Sequence, residues 1–386
     1  MHIVTVVPAV DARSGGGVGE RGVQLARRYP RLGGADVSSE VLTLDLDLTP
    51  DHLKMAAPAT VTALPCRNRR YYLPGSPTAI AERVRAADVV HLINHWTVLN
   101  ALAAEVAARC DVPYVFSPCG ALPIRGRSRL TKRAYDLAVG SRLVRRAAAI
   151  IAVTDPERAD FVPYGVDRHR VLVVPNGVSA SDHEQDTAGK VLARYGLTRH
   201  RYVLFLGRLN WIKGVDLLVD AFISTVPAES GWRCVVAGPD QGMLTDLTAR
   251  VSAAGVGDQV CFTGMVRGPE RTELLRGAAL LVVPSRHEAM SIVALEAGIN
   301  GTPVLITNSC GFDEVEQIGG GWVVPATTEA LAGGLRVALH DPQELERRGE
   351  ALRKLVSHSY TWERAAGSHL EIFEKVVASR RRHPAS

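Results

Sequence analysis

Two glutamates, Glu288 and Glu296, stand eight positions apart in SRHEAMSIVALEAGINGTPVL (285–305), a stretch that is otherwise largely apolar. A carboxylate carried into such a run needs a reason, because an unpaired buried charge is costly. Residues 280–284, LLVVP, read as a short strand closed by Pro284, which cannot donate to a ladder. From about Ser291, the residues Ile292, Val293, Leu295 and Ala297 read as a buried helix face. Gly298, Asn300 and Gly301 end that pattern before a second strand at Pro303–Ile306. Glu288 is therefore expected in the loop leading into a helix, and Glu296 one to two turns inside it. At about 1.5 Å per residue the two carboxylates would lie on the order of 10 Å apart. That is too far to share a proton and suits gripping two parts of one long ligand.

A second loop brings cations. GRLNWIKG (207–214) follows the strand-like RYVLFL and precedes VDLLVDAF, which has helical spacing. Arg208 and Lys213 flank the turn, and two fixed cations near a strand end can clamp a diphosphate. A third loop, SGGGVG (14–19), stands between the opening strand HIVTVV and the helix ERGVQLARRY. Its Gly16 and Gly17 would let backbone approach an anion at a helix N-terminus. Their spacing does not complete a dinucleotide fingerprint, so this turn alone is as compatible with a plain turn as with a site.

No metal site is expected. Asp45–Leu46–Asp47 has the letters of a D-x-D cluster, but its setting reads as the polar end of a strand. His91 and His95 stand four apart in DVVHLINHW, and His95, beside Trp96, is a candidate for contact with substrate. Cys119 in SPCG reads as a small packing residue. The 6 cysteines lack C-x-x-C spacing and read as reduced, buried thiols of a cytosolic protein rather than a zinc site or disulfide frame.

These loops need sheets to hold them. At 386 residues the chain exceeds one ordinary core of roughly 150 residues. No uninterrupted apolar stretch reaches the length of about 18 residues that a membrane span needs. MHIVTVV has no basic segment before it and reads as a first strand rather than a secretion signal. A net charge of +5 does not by itself call for nucleic acid. The basic segments RGRSRLTKR (125–133) and RLVRR (142–146) allow peripheral contact with an anionic membrane or with an acidic acceptor. Strand-like runs at 41–45, 61–65, 88–93, 114–118, 150–154 and 171–175 alternate with helical segments, and the pattern restarts at 201–207. Alternation of this kind predicts two doubly wound α/β domains with parallel sheets and a cleft between them. The expected domains are 1–180, 190–360 and a closing helix and basic tail at 361–386, with SASDHEQDTAG (179–189) as linker.

Taken together, GRLNWIKG and EAMSIVALEAGINGTPVL resemble the C-terminal domain of family 4 glycosyltransferases. SGGGVG, DVVHLINHW, PYVFSPCGALP, VLVVPNGV, VVAGP, FTG, GGGWVVP and the ending YTWERAAGSHLEIFEKV extend the resemblance over nearly the whole chain. It implies a GT-B fold of two Rossmann-like domains, with the last helix crossing back to the first domain. It also implies a retaining transfer from a nucleotide-sugar donor, UDP on family grounds, to a glycan, lipid-linked or small-molecule acceptor. Arg208 and Lys213 would bind the diphosphate, Glu296 the ribose and Glu288 the transferred sugar. Backbone N–H groups near Met290, Ser291 and Ile292 would face the sugar and phosphates. The nucleotide-sugar is a substrate, so no cofactor is implied, and the two cations make a divalent ion unnecessary. The chain departs from many relatives at Ala289, Met290 and Ser291, which bears on the sugar rather than on the family, and also at Cys119 and in the four-residue spacing of His91 and His95. A catalytically silent sugar-nucleotide-binding module and a GT-B-fold epimerase are the alternatives.

Overall fold

The computed structural model describes residues 1–11, 14–124, 128–180 and 189–382. The chain divides into two compact units, residues 1–176 with 362–386, and residues 177–361. The expected boundary at 180 gives way to one at 176 because Val178 already bridges Thr361 and donates its N–H to Tyr360 O at 2.9 Å. Most of the expected linker, and Arg125 and Arg127 of the basic segment, lie outside the described residues. So does the end of the basic tail, from 383.

The first unit is built on a seven-stranded parallel sheet. Its strands are β1 (His2–Val6), β2 (Ser38–Leu44), β3 (Thr60–Leu64), β6 (Val89–Ile93), β7 (Tyr114–Ser117), β8 (Ala149–Ala152) and β9 (Val171–Val173), in the order β3-β2-β1-β6-β7-β8-β9. A small antiparallel hairpin, β4 (Cys66–Asn68) and β5 (Leu73–Pro74), stands apart from it. The second unit has a six-stranded parallel sheet of β10 (Tyr202–Leu206), β11 (Arg233–Ala237), β12 (Val260–Gly264), β13 (Leu280–Val283), β14 (Val304–Thr307) and β15 (Gly321–Val324), ordered β12-β11-β10-β13-β14-β15. Runs such as Leu280–Val283 are buried throughout, as strands covered by helices on both faces must be.

In each sheet the winding reverses once, between β1 and β6 and between β10 and β13. Beyond the carboxyl ends of such neighbouring strands the connecting chains diverge and open a crevice for ligands. Both are doubly wound α/β units with parallel sheets, as the alternation of strand-like and helical segments predicts.

The helix Trp362–Arg382 belongs to the first unit and covers its sheet beside the helices Gly16–Ala26 and Tyr29–Gly33. Phe373, fully buried, packs edge-on to Tyr29 at 5.4 Å and to His91 at 5.5 Å. Arg21 is 1% exposed and donates to the Val174 carbonyl at 3.0 Å, the Pro175 carbonyl at 3.2 Å and Asn176 Oδ1 at 2.7 Å. Its guanidinium also lies 3.4 Å from His369 Nε2 on the last helix. One buried side chain thus joins the first helix, the last helix and the end of the chain's first run.

All 6 cysteines are free. Cys234 and Cys310 are buried, but Cys66, Cys110, Cys119 and Cys261 are only half-buried, a partial correction to the expectation of buried thiols. Asp45 accepts the Cys66 N–H at 2.8 Å and Asp47 pairs with Arg69 at 3.1 Å, so both carboxylates anchor the β4–β5 hairpin. Among the described residues, no cluster of three or more His, Cys, Asp or Glu side chains could hold a metal ion. No helix among them is long and apolar enough to cross a membrane.

Candidate active site

β10 and β13 are the neighbours at the reversal of the second sheet, and each carries one of the chemistry-bearing loops from its carboxyl end. The loop after β10 leaves at Gly207, turns through a short 3-10 helix Trp211–Lys213 capped by Asn210, and enters the helix Val215–Thr225 at Gly214. Asn210 Oδ1 takes the Lys213 N–H at 3.0 Å, which fixes where the lysine leaves the turn. Gly214 has φ +66° and lies against the other loop so closely that a Cβ would stand 1.9 Å from the Pro284 carbonyl oxygen. Only glycine tolerates both conditions. Gly214→Ala is expected to destabilise the protein by roughly 1–3 kcal/mol and to part the two loops. Thermal denaturation checks the first effect and nucleotide binding the second.

Across the crevice, the loop after β13 delivers Glu288. Lys213 Nζ and the Glu288 carboxylate form an ion pair, and Ser285 Oγ donates to the same carboxylate at 3.2 Å. The Glu288 N–H donates to Ser309 O at 2.8 Å, fixing the backbone as well. Ser291 caps the helix Ile292–Ile299 by accepting the Ala294 N–H at 3.3 Å, and Met290 and Ser291 are buried beneath this turn. Glu296 points from the second turn of that helix and pairs with Arg271, from the helix Gly268–Gly277. Arg208 is half-buried and makes no ion pair among the described residues.

Two residues of this arrangement escaped the reading of the sequence. Arg286 binds the Asp216 carboxylate in a two-pronged pair at 2.8 and 2.7 Å and donates to Trp211 O at 2.7 Å. Its guanidinium lies 4.8 Å from the Trp211 ring. Burial works against the charged form of Asp216, but the Arg286 hydrogen bonds hold its pKa below the ordinary value. Arg286 thereby clasps one loop to the other. Arg271, the second, occupies the position from which Glu296 is oriented. The nearest local signal for Arg286 was its place two residues before Glu288; Arg271 had none.

The other expected site residues lie in the first unit. Gly16, at φ +53°, opens the helix Gly16–Ala26, and Gly17 follows it. The flanking glycines have a packing reason, since a Cβ on Gly15 or Gly19 would approach the Ala9 carbonyl oxygen to 2.2 or 2.4 Å. His95 follows β6, as expected, but its ring is fully buried and does not present itself to a substrate. Trp96, Phe116, Tyr135 and Tyr164 surround it edge-on at 4.5 to 5.7 Å, and Nε2 pairs with Asp136 at 2.8 Å. Burial lowers its pKa despite Asp136. The assignment of His95 as a contacting residue is corrected accordingly: four rings from other positions enclose it. Cys119 has φ +54°, and burial pushes its thiol pKa up to about 12, so it is a neutral thiol. Beside it the buried Glu157 accepts N–H groups from Val153 at 2.6 Å and from Gly120, and burial raises its pKa.

Residues 16–177 match the family model for the glycosyl transferase 4-like domain, and residues 194–355 that for glycosyl transferases group 1. D-inositol 3-phosphate glycosyltransferase of Acidothermus cellulolyticus is 30% identical over 325 residues, covering 81% of this chain and 67% of that protein. An uncharacterised glycosyltransferase of Methanocaldococcus jannaschii is 30% identical over 304 residues, covering 74% of this chain and 75% of its own. Among solved structures, Anabaena HepE, crystallised with UDP and glucose, superposes with a TM-score of 0.79 at 17% identity, over 97% of this chain and 100% of that one. The two units and their strand-end loops are those of a glycosyltransferase. The chain belongs to the family 4 glycosyltransferases.

Proposed function

We propose that this enzyme is a retaining hexosyltransferase that takes its sugar from a UDP-sugar held by the second unit. The observation that carries the reading is the ion pair of Lys213 with Glu288 beyond the neighbouring strands β10 and β13, on loops that also bear Arg208 and lead to Glu296. Support for the nucleotide comes from Anabaena HepE, which was solved with UDP and glucose. Arg208 binds the diphosphate from its position without a carboxylate partner. Lys213 exchanges Glu288 for a phosphate oxygen, which leaves Glu288 able to accept hydroxyls of the transferred sugar. Glu296, oriented by Arg271, accepts hydrogen bonds from the ribose diol. Met290, Ser291 and Ile292 bring backbone to the sugar and phosphates at the helix start.

The acceptor oxygen bonds to the anomeric carbon on the face from which the diphosphate oxygen departs. Its proton passes to that departing oxygen, so no protein nucleophile is required. Charge on the leaving group is met by Arg208 and Lys213, preorganised cations in place of a metal. Activity is therefore expected to survive a chelator that strips magnesium and manganese. Complete loss, restored by one divalent ion, would return Asp45 and Asp47 to consideration.

A thermal-shift panel of sugar nucleotides tests the donor directly, since a ligand at 100 times its dissociation constant adds about 2.7 kcal/mol. No shift with any of them would overturn the reading. Product analysis with the stabilising donor separates transfer from epimerisation and from silent binding.

In this reading the enzyme works in the cytoplasm and touches the membrane through the basic segment. Leu130 and Leu137 are 80% and 91% exposed beside Arg129 and Arg133, the combination that seats a surface helix on anionic lipid. Sedimentation with anionic liposomes is expected at low salt and reduced at high salt. Failure to sediment at low salt removes the membrane contact.

A further inference from the structure

The turn that carries Lys213 is not held by packing. None of Trp211–Lys213 is buried, and Trp211 and Ile212 are 61% and 43% exposed. A segment with so little apolar burial opens at low cost unless polar contacts hold it. Asn210 caps the turn from within and donates to Gln241 Oε1 at 2.8 Å in the loop after β11. Beside the close approach of Gly214 to Pro284, Arg286 supplies the hold from the loop after β13. Its backbone N–H donates to Ile212 O at 2.8 Å, and Nη1 donates to Trp211 O at 2.7 Å and Asp216 Oδ1 at 2.8 Å. Nη2 donates to Asp216 Oδ2 at 2.7 Å, and the guanidinium covers the Trp211 ring at 4.8 Å.

The loop on which Arg286 stands is, by contrast, anchored. The Ser285 carbonyl accepts the Thr307 hydroxyl at 2.5 Å, and the Glu288 N–H donates to Ser309 O at 2.8 Å. Thr307 ends β14 and Ser309 follows it, so both flanks of Arg286 are fixed to the next strand of the sheet. Rigidity passes from β14 to the loop after β13, and through Arg286 to the turn after β10. Asp216 completes the link from the first turn of the helix Val215–Thr225. Arg286 and Asp216 are both half-buried, so salt screens their pair less than an exposed one. Both terminal nitrogens of the guanidinium are bound inside the protein, so the fork that would grip a phosphate is already taken.

We propose that Arg286 is a positioning residue for the transfer: it holds the Trp211–Lys213 turn to the Glu288 loop and so places the Lys213 ammonium for the diphosphate of the donor. That destination rests on the donor reading above; the clasp itself does not.

Calorimetric titration of the full chain with UDP tests this by comparing single and double variants. Lys213→Ala is expected to weaken UDP binding roughly 10-fold or more, as the loss of a charge-assisted contact does. Arg286→Gln is expected to weaken it by a similar factor, although Arg286 touches no ligand. In the Lys213→Ala background the same change is expected to cost less than about 3-fold, because the group it positions is gone. Losses that multiply would mean that Arg286 acts through something other than Lys213. Unchanged affinity in Arg286→Gln, even with a lower melting temperature, would make the pair purely structural. Either result overturns the proposal. Should Arg286→Gln fail to fold, Arg286→Lys replaces it, keeping a charge opposite Asp216 without a fork for both its oxygens and the Trp211 carbonyl. That variant is expected to weaken UDP binding only where Lys213 is present, and wild-type affinity in it overturns the proposal equally. If the wild-type chain binds none of UDP, GDP and ADP, or if Lys213→Ala binds as wild type, the donor reading falls and the proposal with it. A Lys213 effect without an Arg286 effect sinks the positioning role alone.

Discussion

Alanine at Arg208 or at Lys213 is expected to lower kcat/KM roughly 10- to 150-fold. Each change removes a charge-assisted contact to the departing diphosphate, worth about 1.5–3 kcal/mol. The two should not add in full, because both cations act on one group. Folding is expected to be little affected by either. Arg208 has no ion pair to lose among the described residues, and the carboxylate that Lys213 leaves behind keeps the Ser285 hydroxyl at 3.2 Å. Steady-state kinetics with the donor found by thermal shift, set beside melting temperatures, makes the measurement. Full activity in either variant would remove that residue from the clamp.

Acid should unfold the first unit early. His91, His95 and His369 are all fully buried there. Burial holds their pKa values below the ordinary histidine range, His369 down to about 3 with Arg21 adding to the effect. A histidine with a depressed folded pKa binds fewer protons folded than unfolded. Stability is therefore complete above the unfolded pKa of about 6.5 and is lost as pH falls toward the folded value. Each such group contributes a slope of up to about 1.4 kcal/mol per pH unit, so three approach roughly 4 kcal/mol per unit at the steepest. Glu157, whose pKa is raised by burial, acts in the opposite sense. Denaturant titrations between about pH 7 and about pH 5 read the slope where histidines dominate. A midpoint that does not move across that window would contradict the burial of these rings. His369→Gln should flatten the slope if the variant folds, and His91→Gln offers a second chance if it does not.

The sequence made the sheets legible because parallel strands, covered on both faces, are short apolar runs. LLVVP and YVLFL could hardly be read otherwise. The hairpin at 66–74 was not legible: RNRRYY shows no alternation, and the turn depends on Asn68 capping its own backbone and on Arg69 reaching Asp47. The same distinction holds at the candidate site. Arg208, Lys213, Glu288 and Glu296 could be named because each sits at a fixed offset from a strand or helix signal. Arg271 and Arg286 could not, since their partners Glu296 and Asp216 lie 25 and 70 positions away. His95 failed for a related reason. Beside Trp96 at a strand end it resembles a rim residue, and the rings that bury it come also from β7 and from residues 135 and 164. The basic segment read at 125–146 gave no hint of its own irregularity: it passes from the α-helix Arg129–Tyr135 through a π-helical turn at Asp136–Gly140, where Gly140 packs close to Asp136 and His95.

The helix Trp362–Arg382 gives the molecule an order of completion. Its residues leave the ribosome after the whole of the second unit, yet Trp362, His369 and Phe373 are core of the first. Each large apolar side chain withheld leaves about 1.5–3 kcal/mol of burial unrealised. Until they arrive, Tyr29 and His91 have an uncovered face and Arg21 lacks one of its neighbours. The half of the protein translated first is thus the half finished last, while residues 177–361 can close on their own. A nascent chain halted before residue 362 would pair a folded second unit with an incomplete first one, which makes the earlier half the natural substrate of chaperones during synthesis.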